Sequence, residues 1–458
     1  MSVQQIQVRF VRMSDLLAAR SQMAMSLAFH IIFASIGVAL PLMMTLAEFR
    51  WLRTGDPVFL LLAKRWAKGT AILFAIGAIS GTVLSFELGL LWPRFMAAAG
   101  AVIGMPFSLE GFAFFMEAIF LGIYLFGWNR VSSRLHFFAG AIVALSGLAS
   151  ATFVTFVNAW MNTPTGFTFT DGQFTDIHPF AAMMSPAAIP EAVHMVLAAY
   201  CAAGFATAGI HSWLQLRRGS NRFHEVAITL ALAVGGTAAL LQLVSGDALA
   251  RMVAARQPVK LASLEGQFKT ERGAPLRIGG LPDVKQDETK YAIEIPDGLS
   301  LLAFHSAHAT VRGLDEFPRS DWPRVPVVHI CFQIMVGCGS LLLLLSACAV
   351  YLGRRDPPFT RRRRFLWILV AATPLGFIAL EAGWMVTELG RQPWIVQGFL
   401  RTRDSVTTMP HLEFPFLGMT CIYLFLAVVV VWLMSAHVIA TPGKNELDNA
   451  IEGEVRHA

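Results

Sequence analysis

Long apolar runs alternate with short polar segments along most of the chain. A helix needs about 20 apolar residues to cross a bilayer, and nine runs reach that length: about 22–48, 69–92, 107–128, 134–158, 187–215, 223–247, 326–352, 365–388 and 412–437. Backbone groups within a bilayer must hydrogen-bond to one another, so such runs form helices. The pattern predicts an all-α integral membrane protein, a bundle of nine transmembrane helices.

The only long polar segment lies between the sixth and seventh apolar runs. The pattern therefore divides the chain into helices one to six (1–247), a long extramembrane loop (248–325), helices seven to nine (326–437) and a polar tail (438–458). A loop of this length without evident structure of its own is usually functional. The first run is too long for a signal-peptide core, so we expect it to remain in the mature protein.

Composition supports a membrane protein and narrows the function. The chain is 55% hydrophobic and only 14% charged. The basic run from Arg361 to Arg364 follows a short loop and is typical of a membrane-surface anchor, so no nucleic-acid partner is expected. Five cysteines lie in or beside apolar runs without a CxxC pattern, which favours packing over disulfides or metal binding.

The distribution of basic residues predicts the orientation. The loops at 49–68, 129–134, 216–222 and 353–364 carry 5, 2, 3 and 6 Lys or Arg residues, whereas those at 93–106, 159–186 and 389–411 carry 1, 0 and 3. Basic loops stay in the cytoplasm. The amino terminus and the 248–325 loop are therefore expected on the periplasmic side of a bacterial inner membrane, and the carboxy terminus on the cytoplasmic side.

Acidic residues occur inside the predicted helices, where they are costly and usually functional. Glu110 and Glu117 lie seven residues apart in the third helix, and Glu381 and Glu388 have the same spacing in the eighth. Seven residues are about two turns, so each pair shares a helix face. Such pairs favour a proton relay or a ligand position over simple packing.

Two histidines and a methionine extend this set. His30, His194 and Met335 all lie within about 12 Å of the predicted outer ends of their helices. A lone intramembrane His also occurs as a packing residue, and most of the 19 methionines fill the core. Matching depth gives the set its weight, because His and Met are axial ligands of low-spin haem.

Several motifs at these positions resemble those of one family. Gly383 to Trp394 reads GWMVTELGRQPW, Glu110 to Glu117 reads EGFAFFME, Arg20 to His30 reads RSQMAMSLAFH, and Lys260 to Glu265 reads KLASLE. Together they resemble subunit I of cytochrome bd-type quinol oxidases over nearly the whole chain. The short segment after KLASLE and the sequence LSFELGLLWPRF resemble the short-loop branch called cyanide-insensitive oxidases.

The resemblance implies a cofactor set and residue roles. It implies two b-type haems and a third haem of d or b type, with iron ligands among His30, His194, Met335 and Glu381. His194 and Met335 would hold the low-spin haem, and His30 and Glu381 the two-haem oxygen site, in an order left open. It also implies that Arg391 binds a cofactor and that the remaining acids and polar residues serve catalysis and a proton path: Glu110, Glu117, Ser150 and Asn158. Ser150 and Asn158 by themselves are also consistent with helix-backbone hydrogen bonding.

The resemblance also implies the substrates and partners. Lys260 and Glu265 would bind quinol (ubiquinol or menaquinol) outside, with O2 reduced to water by protons from inside, so that the reaction is electrogenic without a pump. The expected partners are subunit II and a small single-helix subunit.

One residue departs from the family pattern. Gln333 stands where many members have Arg, and loss of that charge would lower the haem potential or relax the electrostatics of the quinone site. A secondary transporter with acid-lined helices and no haem is the competing hypothesis.

Overall fold

The computed structural model describes residues 13–439, and helices form most of this range. In chain order they are α1 Asp15–Thr54, α2 Pro57–Leu91, α3 Pro93–Phe126, α4 Ser133–Asn162, α5 Pro179–Met183, α6 Ala188–Arg218, α7 Arg222–Arg256, α8 Pro258–Glu265, α9 Gly298–Phe304, α10 Val325–Gly353, α11 Arg363–Ala372, α12 Leu375–Gly390, α13 Thr402–Ser405 and α14 Glu413–His437. Single 3-10 turns occur at Leu314–Glu316, Arg319–Asp321 and Phe359–Arg361.

Short strands pair only in the connecting segments. They are β1 Thr168–Thr170, β2 Gln173–Thr175, β3 Glu271–Arg272, β4 Leu276–Ile278, β5 Leu281–Asp283, β6 Glu288–Lys290, β7 Ile293–Ile295, β8 Thr310–Val311, β9 Trp394–Val396 and β10 Leu400–Arg401. The described part of the chain has five two-stranded antiparallel sheets, in which β1 pairs with β2, β3 with β8, β4 with β7, β5 with β6 and β9 with β10.

Nine helical spans in residues 13–439 are long and apolar enough to cross a membrane, which confirms the predicted all-α membrane fold. Their ends differ from the limits of the apolar runs. The segment 93–106, expected as a loop, is the first part of α3, and only Trp92 separates it from α2. Pro93 suits the first turn of a helix because its missing N–H has no partner there in any case.

The eighth span is one apolar run in sequence but two helices in space. It passes from α11 to α12 at Thr373 and Pro374, since proline lacks the N–H that would continue the ladder. The second helix carries both Glu381 and Glu388.

Contacts between connecting segments define the two ends of the bundle. At one end, the Thr407 N–H donates to the Leu91 carbonyl at 2.9 Å, and Arg401 pairs with Asp321 at 2.6 Å. We call this the loop end, because segment 257–324 lies there. At the opposite end, Arg361 pairs with Glu225 at 2.9 Å.

The long segment between the sixth and seventh spans is folded, contrary to the expectation of a loop without structure. Helix α7 extends to Arg256, and then α8, three small sheets and α9 follow. Its apolar side chains pack on the bundle through a cluster that includes Leu264, Leu299 and Val328. Of the predicted tail, 438–458, residues 440–458 lie outside the described residues.

Candidate functional site

The His30 ring is fixed by the neighbouring helix. Its Nδ1 lies 2.9 Å from Ser80 Oγ, and that hydroxyl donates to the Ile76 carbonyl at 2.9 Å. With its own proton directed at the carbonyl, the Ser80 oxygen can accept from His30 in the tautomer that carries the proton on Nδ1. Nε2 of His30 is then the unprotonated nitrogen, which is the form that ligates a metal.

His194 has the same arrangement with a different helix. Its Nδ1 lies 3.1 Å from Ser245 Oγ, and that hydroxyl donates to the Gln242 carbonyl at 3.2 Å. Nε2 of His194 accordingly accepts, and it lies 3.0 Å from the amide nitrogen of Gln242. The Gln242 amide occupies the Nε2 lone pair of His194 in this arrangement, so an iron at this nitrogen would have to displace it.

Glycine follows the serine at both positions. A Cβ on Gly81 would lie 3.1 Å from Cε1 of His30, and a Cβ on Gly246 would lie 3.6 Å from Cε1 of His194. The serine orients each ring, and the glycine leaves space for it. We call each Ser-Gly pair a histidine seat.

Met335 lies in a comparable cradle on α10. A Cβ on Gly383 of α12 would lie 3.1 Å from its sulfur. Met335 also packs against an apolar cluster that contains Val253 and Leu249 of α7, the helix that provides the seat for His194. The predicted His and Met ligands thus both adjoin the last third of α7.

Glu381 lies where α12 meets α1. Its chain neighbour Leu380 packs with Ile31, the neighbour of His30, in one buried cluster. Oxygen Oε1 of Glu381 is buried and has no hydrogen-bond partner within residues 13–439. A buried carboxylate oxygen without a partner is costly, which fits a residue that gains its partner from a cofactor.

Glu110 and Glu117 both face α4, as their spacing predicts. Ser150 donates a hydrogen bond to Oε1 of Glu110 at 3.2 Å. Both carboxylate oxygens of Glu117 would lie 3.4 Å from a Cβ on Gly147. The two acids and Ser150 therefore form one polar line in the interface between α3 and α4.

Asn158 belongs to a different group, which connects α8 to α12. Lys260 Nζ donates to Asn162 Oδ1 at 2.5 Å, and Asn162 donates to Asn158 Oδ1 at 3.0 Å. Asn158 in turn donates to Glu388 Oε1, and Arg391 binds the other oxygen of Glu388 at 2.5 Å. We call these five residues the amide bridge.

A cleft of about 330 Å³ opens beside the amide bridge at the loop end. Lys260, Arg391, Asp321 and Trp394 are among the residues that line it. Arg391 is 2% exposed, yet its Nε and Nη1 atoms have no partner among the described residues. A buried guanidinium with free donors fits a carboxylate or a carbonyl oxygen of a ligand.

Lys260 and Glu265, the predicted quinol-binding pair, both lie on helix α8. Because this segment is helical, the two side chains do not converge on one point. Five residues on a helix place Lys260 and Glu265 on different faces, about 7.5 Å apart along the axis. Burial lowers the pKa of Lys260 to about 8. Burial raises the pKa of Glu265 to about 7, opposed by the charge of Arg277.

The predicted residues fit haem. Each of the two histidines presents an oriented Nε2, and each candidate site offers one or two protein donors, as axial ligation requires. The free donors of Arg391 suit a propionate, and the cradle at Gly383 leaves the Met335 sulfur unobstructed by a side chain from that position.

Several contributing residues were absent from the sequence prediction. They are Ser80 and Ser245, which orient the histidines, Gln242, and Asn162 of the amide bridge. Both histidine seats contain a mid-helix Ser-Gly pair, but the same dipeptide at Ser146-Gly147 faces Glu117, so the pair alone would not have identified the seats. Asn162 carries no local signal, since its partner Lys260 is 98 residues away in the chain.

Comparison with known proteins gives a consistent result. A family profile described as cytochrome bd terminal oxidase subunit I matches residues 18–442. A putative cytochrome bd menaquinol oxidase subunit I from Bacillus subtilis is 38% identical, over 96% of this chain and all of the relative. Cytochrome bd-II ubiquinol oxidase subunit 1 from Escherichia coli is 29% identical, over 92% of this chain and 95% of the relative. The solved structure of bd oxidase from Geobacillus thermodenitrificans superimposes with a TM-score of 0.89 at 36% identity, covering 94% of this chain and 99% of that one.

Proposed function

The chain belongs to the family of cytochrome bd terminal oxidase subunits I, and from that premise we propose that it oxidises quinol at the loop end and delivers the electrons to O2. Membership implies haem cofactors, a quinol substrate and a second oxidase subunit, in a bacterial respiratory membrane. The overall reaction couples two quinols to one O2, which gives two quinones and two waters, so four electrons and four protons balance.

The two histidine seats are the observation that carries this proposal. Two intramembrane histidines on different helices have Nδ1 within hydrogen-bond distance of a serine hydroxyl, and Nε2 of His194 is contacted only by an amide that an iron could displace. Buried histidines elsewhere in the described residues, such as His136, have both ring nitrogens bound by the protein's own acceptors, whereas a transported solute would not require two serine-oriented rings. Oriented imidazoles in an apolar bundle are what axial ligation of haem demands.

We assign His194 and Met335 to a low-spin b haem, and His30 with a carboxylate of α12 to the two-haem oxygen site. Haem, when bound, supplies one-electron iron chemistry and an open position for O2. Glu381 is the predicted carboxylate because its oxygen lacks a partner. Glu388, two turns further on the same helix, is the second candidate, and its two oxygens already have partners in Asn158 and Arg391.

Quinol oxidation requires hydrogen bonds to two hydroxyls and a base for their protons. Lys260 lines the cleft at the loop end and would donate to one quinol oxygen. Glu265, whose pKa is about 7, is suited to accept a proton near neutral pH. Both ubiquinol and menaquinol present these hydroxyls, and the names of the relatives include both quinols.

Protons for water formation would enter along α3 and α4. Glu117, Glu110 and Ser150 line this interface, and the Ser150 bond to Glu110 continues it toward the loop end. With the amino terminus periplasmic, as the basic loops indicate, quinol protons leave outside and the consumed protons come from inside. Charge is then separated without a pump.

A spectrum and an oxygen electrode test the proposal together. The purified complex with subunit II should show haem bands in a reduced-minus-oxidised spectrum and should consume O2 when given quinol. The same spectrum distinguishes a d-type from a b-type third haem. Absence of haem bands in a correctly inserted complex would favour the transporter hypothesis instead.

A further inference from the structure

His329 lies at the start of α10 and is fully buried. Its Nδ1 lies 2.7 Å from the Leu264 carbonyl, and its Nε2 lies 3.0 Å from the Gly279 carbonyl. Carbonyl oxygens only accept hydrogen bonds, so every N–H that the ring carries is used by the segment between α7 and α10.

The two carbonyls belong to separate parts of that segment. Leu264 immediately precedes Glu265 at the end of α8, whereas Gly279 follows strand β4. A neutral imidazole donates to one of these carbonyls and an imidazolium to both, and in either form the ring lies between the end of α8 and the β4 turn and connects them to α10.

Gln333, one turn further along α10, holds the same turn. Its Oε1 accepts from the Gly279 N–H at 2.9 Å, and its Nε2 donates to the Arg277 carbonyl at 3.1 Å. Residues four apart share a helix face, so His329 and Gln333 form one contact, which we call the loop clamp.

The backbone beside the loop clamp is closely packed. Gly266 ends α8 with a φ of +61°, and a Cβ there would lie 2.4 Å from Thr289 Oγ1 and 3.5 Å from His329 Nδ1. Only glycine combines this conformation with so little space. The end of α8 is thus held on two sides, and small changes at His329 will be transmitted to it.

We infer that His329 is a positioning residue that, with Gln333, fixes the quinol-binding helix α8 relative to Met335 on α10. The inference rests on the proposed quinol role of α8. Met335 follows His329 by six residues, about 9 Å along the helix axis. The same helix thereby sets the position of the electron donor and of the first electron acceptor.

Hydrogen exchange and quinol kinetics of the whole complex test the inference. In His329→Leu, which removes every hydrogen bond of the ring, amides of 264–280 should exchange faster, and the quinol KM should rise about tenfold with kcat nearly unchanged. The low-spin haem spectrum and turnover with a donor that bypasses the loop should stay normal. His308→Leu, at an exposed histidine of the same segment, is the matched control and should change none of these values.

The outcomes separate the inference from the proposed function. Unchanged exchange and unchanged KM in His329→Leu would overturn the inference. A raised KM in Lys260→Leu without one in His329→Leu would also overturn it and leave the quinol site intact. If amides exchange faster in His329→Leu but both His329→Leu and Lys260→Leu keep the wild-type quinol KM, the quinol site is overturned, and the inference with it. If His329→Leu does not assemble, His329→Gln, which retains one amide donor, should give an intermediate KM, and a wild-type KM there would refute the inference.

Discussion

Replacing Asn162 by Leu removes the acceptor of the buried Lys260 ammonium. The Lys260 side chain is part of a residue only 6% exposed, and its bond to Asn162 Oδ1 is 2.5 Å long. A hydrogen bond to a charged group contributes about 1.5–3 kcal/mol. One pKa unit corresponds to about 1.4 kcal/mol, so the pKa of Lys260 should fall by about one to two units from its value of about 8.

The direction of the pKa change depends on which protonation state of Lys260 loses its hydrogen-bond partner. The amide oxygen stabilises the ammonium and not the neutral amine, so its removal lowers the pKa and the ammonium is lost at lower pH. If the ammonium donates to quinol, the alkaline limb of kcat/KM for quinol should move down by the same one to two units. The Asn162→Asp variant places a carboxylate beside Lys260, and the alkaline limb should then move up.

The assay is quinol-driven O2 consumption by the intact complex between pH 5.5 and about 9.5, bracketing the two pKa values near 7 and 8. Haem spectra recorded on the same samples control for assembly. Shifts of opposite sign in the two variants are expected because they change the same contact in opposite directions. A limb that stays in place in both variants, or moves the same way in both, would refute the role of the Lys260 ammonium.

Four further substitutions test the remaining assignments. Met335→Leu keeps the volume but removes the thioether, so the low-spin haem should become high-spin; an unchanged spectrum would exclude Met335 as a ligand. Glu381→Gln and Glu388→Gln should give different spectra. The variant that replaces the iron ligand should lose an oxygen-site haem band and O2 reduction, and the other variant should retain that band. If both variants keep all haem bands, neither carboxylate is an iron ligand. In Glu265→Gln the acid limb near pH 7 should disappear, because the base is active only when deprotonated; a retained limb would assign it to another group.

Hydrophobic pattern determined the number of spans and the class of fold. An apolar run of bilayer length forms a helix because its backbone groups must hydrogen-bond to one another, so the number of spans can be predicted without tertiary information. Seven-residue spacing likewise predicts that Glu110 and Glu117 share a face, and both face α4 in the fold. Helix ends were less well predicted: 93–106 is apolar from Phe95 to Met105 but is bounded by Pro93 and Pro106, and the fold nevertheless makes it the first part of α3.

Which residues meet across the chain was decided by tertiary structure alone. The sequence places Lys260 in a polar segment, but packing of α8 against α4 and α12 buries it and gives it Asn162 as a partner 98 residues away. Ser80 and Ser245 look like ordinary helix serines until the fold brings each beside a histidine. Local pattern encodes burial and helix face, whereas hydrogen bonds between distant segments depend on how the helices pack, and that packing gives these polar residues their chemistry.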